Sequence, residues 1–397
     1  MKNDSRIIGL VALAHGTSHF FQLVVPPLFP LIKADLGVSY AALGFITAVF
    51  YILSCVFQPL VGFVVDRTGP RAVLYGGMGL LAGGTLLAGR APGYGALVAA
   101  AAIAGLGNSV FHPADYAILN ARVGAARLGH AYSAHGVLGF LGYAAAPVFS
   151  VSVGSAWGWH AALLAASAWG AVVIALLVLH GKILEVKSEM PVKPQTPIAH
   201  DARILLAPAV LMCFVFFAVY SAALSGVQTF GVAALPALYG VAAAFASSAV
   251  TAFLVGTAAG IVAGGFIASR SSRHDFVAAA GLGLSAATMA LVASHAAPGF
   301  ALPALLGLAG FSAGATGPSR DLIVRASTPP GATGRVYGFV YSGLDVGSLS
   351  MPVIYGWMMD HALPQVVFYT VFGLTLAAIL TVLQLPGRAP GAAIQRI

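Results

Sequence analysis

Residues 41–65 read AALGFITAVFYILSCVFQPLVGFVV, a run without a charged side chain. The charges arrive directly after it, in Asp66-Arg67-Thr68-Gly69-Pro70-Arg71. About 20 apolar residues in helical conformation cross the hydrocarbon layer of a bilayer, so this stretch reads as a transmembrane helix that ends in a basic turn. Working outward by the same criterion gives twelve segments, near 7–31, 41–65, 72–90, 94–121, 129–153, 159–181, 204–230, 241–268, 276–295, 299–326, 335–359 and 366–385. Composition agrees: of 397 residues, 59% are hydrophobic and 8% charged, and 48 are glycines. A soluble domain carries roughly 25% charged residues. The expected fold class is all-α integral membrane, with twelve transmembrane helices.

Lys2 and Arg6 ahead of an apolar stretch imitate a secretory signal. That stretch is too long, contains His15, His19 and Gln22, and lacks a small-residue cleavage site, so it reads as a retained first helix. Lys and Arg collect in cytoplasmic loops. With the N-terminus inside, sixteen of the 19 basic residues fall inside, Lys33 and Arg90 fall outside, and Arg320 lies within a helix. This split supports the helix count, places both termini in the cytoplasm, and accounts for the net charge of +8 without nucleic-acid binding.

The chain also repeats itself. A shift of 205 residues brings Gly105 onto Gly310, Pro113 onto Pro318, Gly129 onto Gly334, Tyr132 onto Tyr337, Gly142 onto Gly347 and Pro147 onto Pro352. A shift of 203 brings Gly62 onto Gly265 and Arg67 onto Arg270. Between the halves lies the longest polar stretch, KILEVKSEMPVKPQTPIAHDAR at 182–203. The expected organisation is a six-helix bundle over 1–183, a cytoplasmic linker over 184–202, and a second six-helix bundle with a short cytoplasmic tail over 203–397. Parallel repeats of this kind place a substrate path at their interface near the midplane.

The loop from Gly62 to Arg71, with Asp66, Arg67 and Gly69 between them, resembles the signature of the major facilitator superfamily, G-x-x-x-D-R-x-G-x-R. Glycine allows close helix approach, and an acid at a helix end latches one conformation by pairing with an arginine or with a neighbouring helix N-terminus. The matching loop of the second half, Gly265-Phe-Ile-Ala-Ser269-Arg270, lacks the acid. Helix count, repeat and loop placement extend the resemblance over the whole chain, which implies the major facilitator fold of two pseudo-symmetric bundles. Within that superfamily, Ser109-Val110-Phe111-His112-Pro113, Gly129-His130-Ala131 and Gln58-Pro59-Leu60-Val61-Gly62 are similar to the fosmidomycin-resistance branch. That resemblance implies a proton-driven exporter of drug-like molecules. The chain departs from the branch where Ala114 follows the His-Pro pair, with Asp115 one residue later, and where Ser18-His19 replaces an Asn-Asp pair in helix 1. Gly136, Gly139, Gly142 and Pro147 resemble the glycine motif found in helix 5 of antiporters in the superfamily; close helix packing is the plainer reading.

Ionisable side chains inside a membrane are costly and mark pathways or pairs. Here they are His15, His19, His112, Asp115, His135, Arg320, Asp321 and Asp345. Asp115 and Arg320 share a register at the 205-residue offset, which predicts a cytoplasmic-side charge pair that opens during alternating access; otherwise each is satisfied locally. Asp321 has Arg325 four residues on, the spacing of a local ion pair. Asp345 lies mid-helix with no basic residue within a turn. It reads either as a proton carrier or as a hydrogen-bonded packing group. His15, His19 and Gln22 share one face of helix 1 and suit substrate contact or proton relay, with a plain interhelical hydrogen bond the equal alternative for either histidine and for His112 before Pro113. A metal is not expected from them, because Gly16 stands where a metalloprotease motif has glutamate. Tyr220 and Gln228 are the second-half partners at similar depth.

No G-x-x-x-x-G-K-[ST] loop is present for ATP-driven transport, and no nucleophile–base pair points to an enzyme. Cys55 and Cys213 lie in apolar runs and carry no redox signal. The expectation is a proton-coupled secondary transporter of a small organic molecule in a bacterial inner membrane, leaning to antiport efflux of a drug-like or anionic compound. It needs no cofactor beyond the proton gradient and no obligate protein partner. Proton-symport uptake of an organic anion, a carboxylate or phosphonate, is the alternative. A metal-ion transporter is the remote one, open only if the histidines converge.

Overall fold

The computed structural model describes residues 2–186, 205–328 and 333–384. Most of the expected linker (187–202), the tail beyond 384 and the side chain of Asp66 lie outside the described residues. Prolines and glycines set the helix ends. Helix α1 (Lys2–Leu23) stops before Pro26-Pro27, which begin a short 3-10 turn; α2 (Phe29–Leu36) follows and ends at Gly37 with φ 64°. The first segment therefore runs to Leu36 rather than to 31. Helix α3 (Tyr40–Thr68) is capped by Ser39, whose Oγ accepts the Ala42 N–H at 3.0 Å, and α4 (Pro70–Gly89) starts on proline, whose missing N–H costs nothing there.

The fourth segment is two helices, α5 (Tyr94–Asn108) and α6 (Phe111–Arg122). Pro113 has no N–H to give, and its ring crowds the carbonyl four residues back, so the helix breaks at Ser109-Val110. The tenth segment breaks the same way ahead of Pro318, into α11 (Leu302–Ala315) and α12 (Gly317–Ala326). Segments five and six are likewise two helices; they meet at Gly158, whose φ of 83° and ψ of 163° are non-helical, and share the label α7 (Ala125–His180). The remaining helices are α8 (Pro208–Tyr239), α9 (Ala243–Arg270), α10 (His274–Ala293), α13 (Thr333–Asp360) and α14 (Pro364–Leu383). Ten helical stretches are long and apolar enough to cross a membrane, with α7 counted as one. Helix α13 is not among them, since Asp345 and its serines and tyrosines make it more polar.

Two compact units emerge. The first comprises Met1–Lys193, Gln228–Thr251 and Pro352–Leu363; the second comprises Pro194–Val227, Ala252–Met351 and Pro364–Ile397. In the first unit α1 packs along α7, and α4 against α5 and α7; in the second, α10 packs against α14 and α11. The end of α13 belongs to the first unit, where the Asp360 carboxylate accepts the N–H groups of Tyr40 (2.8 Å) and Ala41 (2.9 Å) at the start of α3. Side chains such as Phe63, Trp157, Phe266 and Phe300 stay exposed, as a lipid-facing surface requires.

Glycines set the helix contacts, and the repeat register reappears in them. A Cβ on Gly105 would strike the Phe50 carbonyl, and one on Gly142 the Gly16 carbonyl. In the second unit a Cβ on Gly310 would strike the Phe253 carbonyl, and one on Gly347 the Ala218 carbonyl. Gly310 and Gly347 are the 205-residue counterparts of Gly105 and Gly142. Gly310→Ala is therefore expected to cost about 1–3 kcal/mol through overpacking. Gly283→Ala, which meets nothing within 4 Å, is expected to leave stability unchanged or raised. Apparent melting temperatures of the two variants in detergent check this contrast.

Candidate functional site

Polar chemistry in the first unit gathers where α1, α6 and α7 meet. His15, Asp115 and His135 are 3%, 0% and 3% exposed. Oδ2 of Asp115 lies 3.1 Å from His135 Nε2 and 3.3 Å from His15 Nδ1. The His15 and His135 rings stack at 3.5 Å between centroids with planes 18° apart. His19 and His112 complete the group, at 4.3 Å and 5.3 Å from the His15 ring. Local sequence explains the crowding. His15 and His19 share a face of α1, and Gly139 of α7 leaves the gap they fill: a Cβ there would lie 3.0 Å from His15 Nε2. Gly142 admits the α1 backbone itself, while Gly136 meets nothing within 4 Å.

One turn further along α1, Gln22 is a hydrogen-bond hub. Its Oε1 accepts from Tyr143 (2.5 Å) and Tyr51 (3.3 Å), and its Nε2 donates to Asn108 Oδ1 at 3.1 Å. Asn108 in turn donates to Ser54 Oγ at 2.9 Å. Beside this hub lies a narrow cleft walled by Phe21, Ile46, Phe50 and Leu97. In the expected latch loop, Arg71 pairs with Glu185 at 3.2 Å.

The second unit holds Arg320, whose guanidinium carbon lies 4.4, 5.5 and 5.8 Å from the ring centres of Tyr220, Phe217 and Phe216. Its Nε and Nη1 are buried without a hydrogen-bond acceptor, beside a small apolar crevice shared with Cys213, Ile323 and Val324. Aromatic faces attract a guanidinium electrostatically but do not accept its hydrogen bonds along the N–H directions. Asp321 Oδ1 accepts from Tyr341 OH at 2.6 Å, and its backbone carbonyl from Tyr337 OH at 3.2 Å. Asp345 is half-buried on α13, and among the described residues its carboxyl has no ion pair or hydrogen bond.

Several expectations change. Within its own unit Asp115 is engaged by His15 and His135, and Arg320 by the rings of Tyr220, Phe217 and Phe216. The Asp321–Arg325 ion pair is absent among the described residues, because Tyr341 supplies the donor from another helix. Tyr220 lies in the second unit as the face for Arg320, whereas Gln228 falls in the first unit, half-buried. Tyr143 and Asn108 were not singled out by sequence, and His135 was named only as an ionisable group inside the membrane, with no role. His135 precedes Gly139 by four residues, on the same helical face, which was the available signal.

Gln22→Leu removes the acceptor of two tyrosines and the donor to Asn108 together, whereas Tyr143→Phe removes one hydrogen bond, worth about 1 kcal/mol. Thermal unfolding in detergent is expected to rank Gln22→Leu as the more damaging of the two.

The Major Facilitator Superfamily model matches residues 11–246 and 226–396. The fosmidomycin resistance protein of Escherichia coli (strain K12) is 26% identical over 382 residues, which cover 95% of this chain and 92% of that one. An uncharacterized MFS-type transporter, YfnC of Bacillus subtilis (strain 168), is 27% identical over 147 residues, 37% of this chain and 36% of its own. Among solved structures, the nucleoside transporter NupG superposes with a TM-score of 0.78 at 14% identity, over 95% of this chain and 98% of that chain. A bacterial homolog of the human lysosomal transporter Spinster, in an inward-facing and occupied conformation, gives 0.76 at 13% identity, over 95% and 94%. At these identities the two structures show the fold.

Proposed function

The chain belongs to the major facilitator superfamily, and from that premise we propose that it is a proton-coupled secondary transporter working by alternating access. It is a multi-pass membrane transporter and not an enzyme; the coupling ion and the cargo are our reading. The observation that carries the reading is Asp345. A carboxyl group in the hydrocarbon region, half-buried and without a described partner, holds no charge there at low cost. It keeps a proton while sealed from water and releases it when water reaches it. A helix that exposes this group first to one side and then to the other therefore moves protons with its own motion. Helix α13 suits that task, being a polar helix with Pro352 inside it.

Efflux by proton antiport is the favoured direction. The relative matching along nearly the whole chain is named for fosmidomycin resistance, which fits outward movement of a drug-like compound. Arg320 supports an anionic group on that compound, since its buried Nε and Nη1 have donors to offer. The same observation favours the second reading, proton-symport uptake of an organic anion. Sixteen inner basic residues against two outer ones support a bacterial inner membrane with both termini cytoplasmic.

Proteoliposomes with an imposed pH gradient test the proposal against phosphonates, small carboxylates and lipophilic drugs. For antiport, substrate added to one side drains the proton gradient from the other; for symport, protons and anion move together. Asp345→Asn is expected to reduce substrate-driven proton flux to background, and Asp345→Glu to restore part of it. Unchanged flux in Asp345→Asn would remove this residue from the coupling step. Arg320→Met is expected to weaken transport of anionic cargo and spare neutral cargo.

A further inference from the structure

The proton reading leaves the imidazole cluster of the first unit unexplained. Asp115 Oδ2, His15 Nδ1 and His135 Nε2 all lie within 4.8 Å of one another, on three different helices. The group His15, His19 and His112 meets the same limit. Two donor atoms here, His19 Nδ1 and Asp115 Oδ1, are buried without a hydrogen-bond partner, and His15 Nδ1 has only the Asp115 carboxylate at 3.3 Å. A buried polar atom left unpaired costs about 1–3 kcal/mol, so two in one place, beside a carboxylate shared by two imidazoles, call for a ligand.

We propose that His15, Asp115 and His135 form a binding site for a divalent transition-metal ion of the Zn²⁺ class. The distances suit it. A tetrahedral zinc with bonds of about 2.0–2.1 Å holds its ligand atoms about 3.3 Å apart, and Asp115 Oδ2 lies 3.1 and 3.3 Å from the two imidazole nitrogens. The donor set suits it as well: neutral imidazole is a ligand of Zn, Cu, Fe and Ni, whereas Mg²⁺ and Ca²⁺ require oxygen. One carboxylate and two imidazoles leave a fourth position for water or for His112. His112 lies beside the pair, its ring centre 5.3 Å from that of His15. Gly139 is part of the site, because any side chain there would collide with His15. An ion bound here ties α1 to α6 and α7. The site lies on helices of the first unit and stands independently of the proton reading, which rests on Asp345 in the second.

The test uses tag-free full-length protein in detergent, stripped with EDTA, loaded with ZnCl₂, passed through gel filtration and assayed for bound metal. Wild type is expected to retain one zinc per chain, and Co²⁺ in its place to give the visible absorption of a tetrahedral N/O site. His15→Ala, Asp115→Asn and His135→Gln, each checked for monodispersity, are expected to weaken Zn²⁺ binding at least tenfold, since even substitutions behind metal ligands cost about 10–100-fold. His180→Ala, on the exposed end of α7, is expected to bind as wild type does. Wild type without stoichiometric zinc, or binding indifferent to all three substitutions, overturns the proposal. The cobalt spectrum of wild type decides the matter even if a variant fails to fold. Binding is read at equilibrium without a gradient, so its failure and a failure of proton coupling are separate results.

Discussion

Hydrocarbon offers no hydrogen bonds, and that constraint organises this molecule. A backbone that must satisfy itself becomes helix throughout. A polar side chain has to find its partner on a neighbouring helix or bond to its own, as Ser18 Oγ does with the His15 carbonyl at 2.8 Å. Helix α1 shows the consequence. His15, His19 and Gln22 all lie on one face, and everything they touch comes from α3, α5, α6 and α7. The contact requires glycine at 142, against the backbone of Gly16, because a larger residue would hold α7 away and leave the histidines without company.

Most of the frame was legible because membrane helices advertise their ends. The interruptions ahead of Pro113 and Pro318 follow from proline's missing N–H, whereas the helices around Pro59 and Pro236 continue through it. The register linking Gly105 with Gly310 marked real contact points, since glycine at a crossing is a geometric necessity. Legibility failed where the cause is tertiary. Asp321 had a ready partner in Arg325 by spacing, yet Tyr341 from another helix supplied the donor. The histidine cluster was half visible: the pair on α1 was plain, but convergence with His135 and Asp115 depends on how three helices pack.

The two units share a frame and differ in chemistry. Equivalent glycines carry equivalent helix crossings, so the repeat persists where packing demands it. At the positions of Asp115 and Arg320, one repeat has an acid among imidazoles and the other a guanidinium among aromatic rings. The surroundings match the charge in each case. Imidazole nitrogens meet the Asp115 carboxylate directly, and ring faces stabilise a cation while leaving its N–H groups available. A duplicated frame with divergent interiors suits a protein that binds two unlike species.

That divergence also bears on which acid can carry protons. Asp115 uses one carboxylate oxygen for two imidazoles on two other helices, so changing its charge on every turnover means remaking contacts that hold α1, α6 and α7 together. Asp345 has no such ties among the described residues and lies half-buried on the polar α13. A coupling group has to be easy to protonate and easy to release, which favours the carboxyl with the fewest partners. A metal site has the opposite requirement, several donors fixed at once by rigid neighbours, and the cluster around Asp115 meets it. The geometry thus separates two tasks that composition alone would have assigned to the same short list of buried charges.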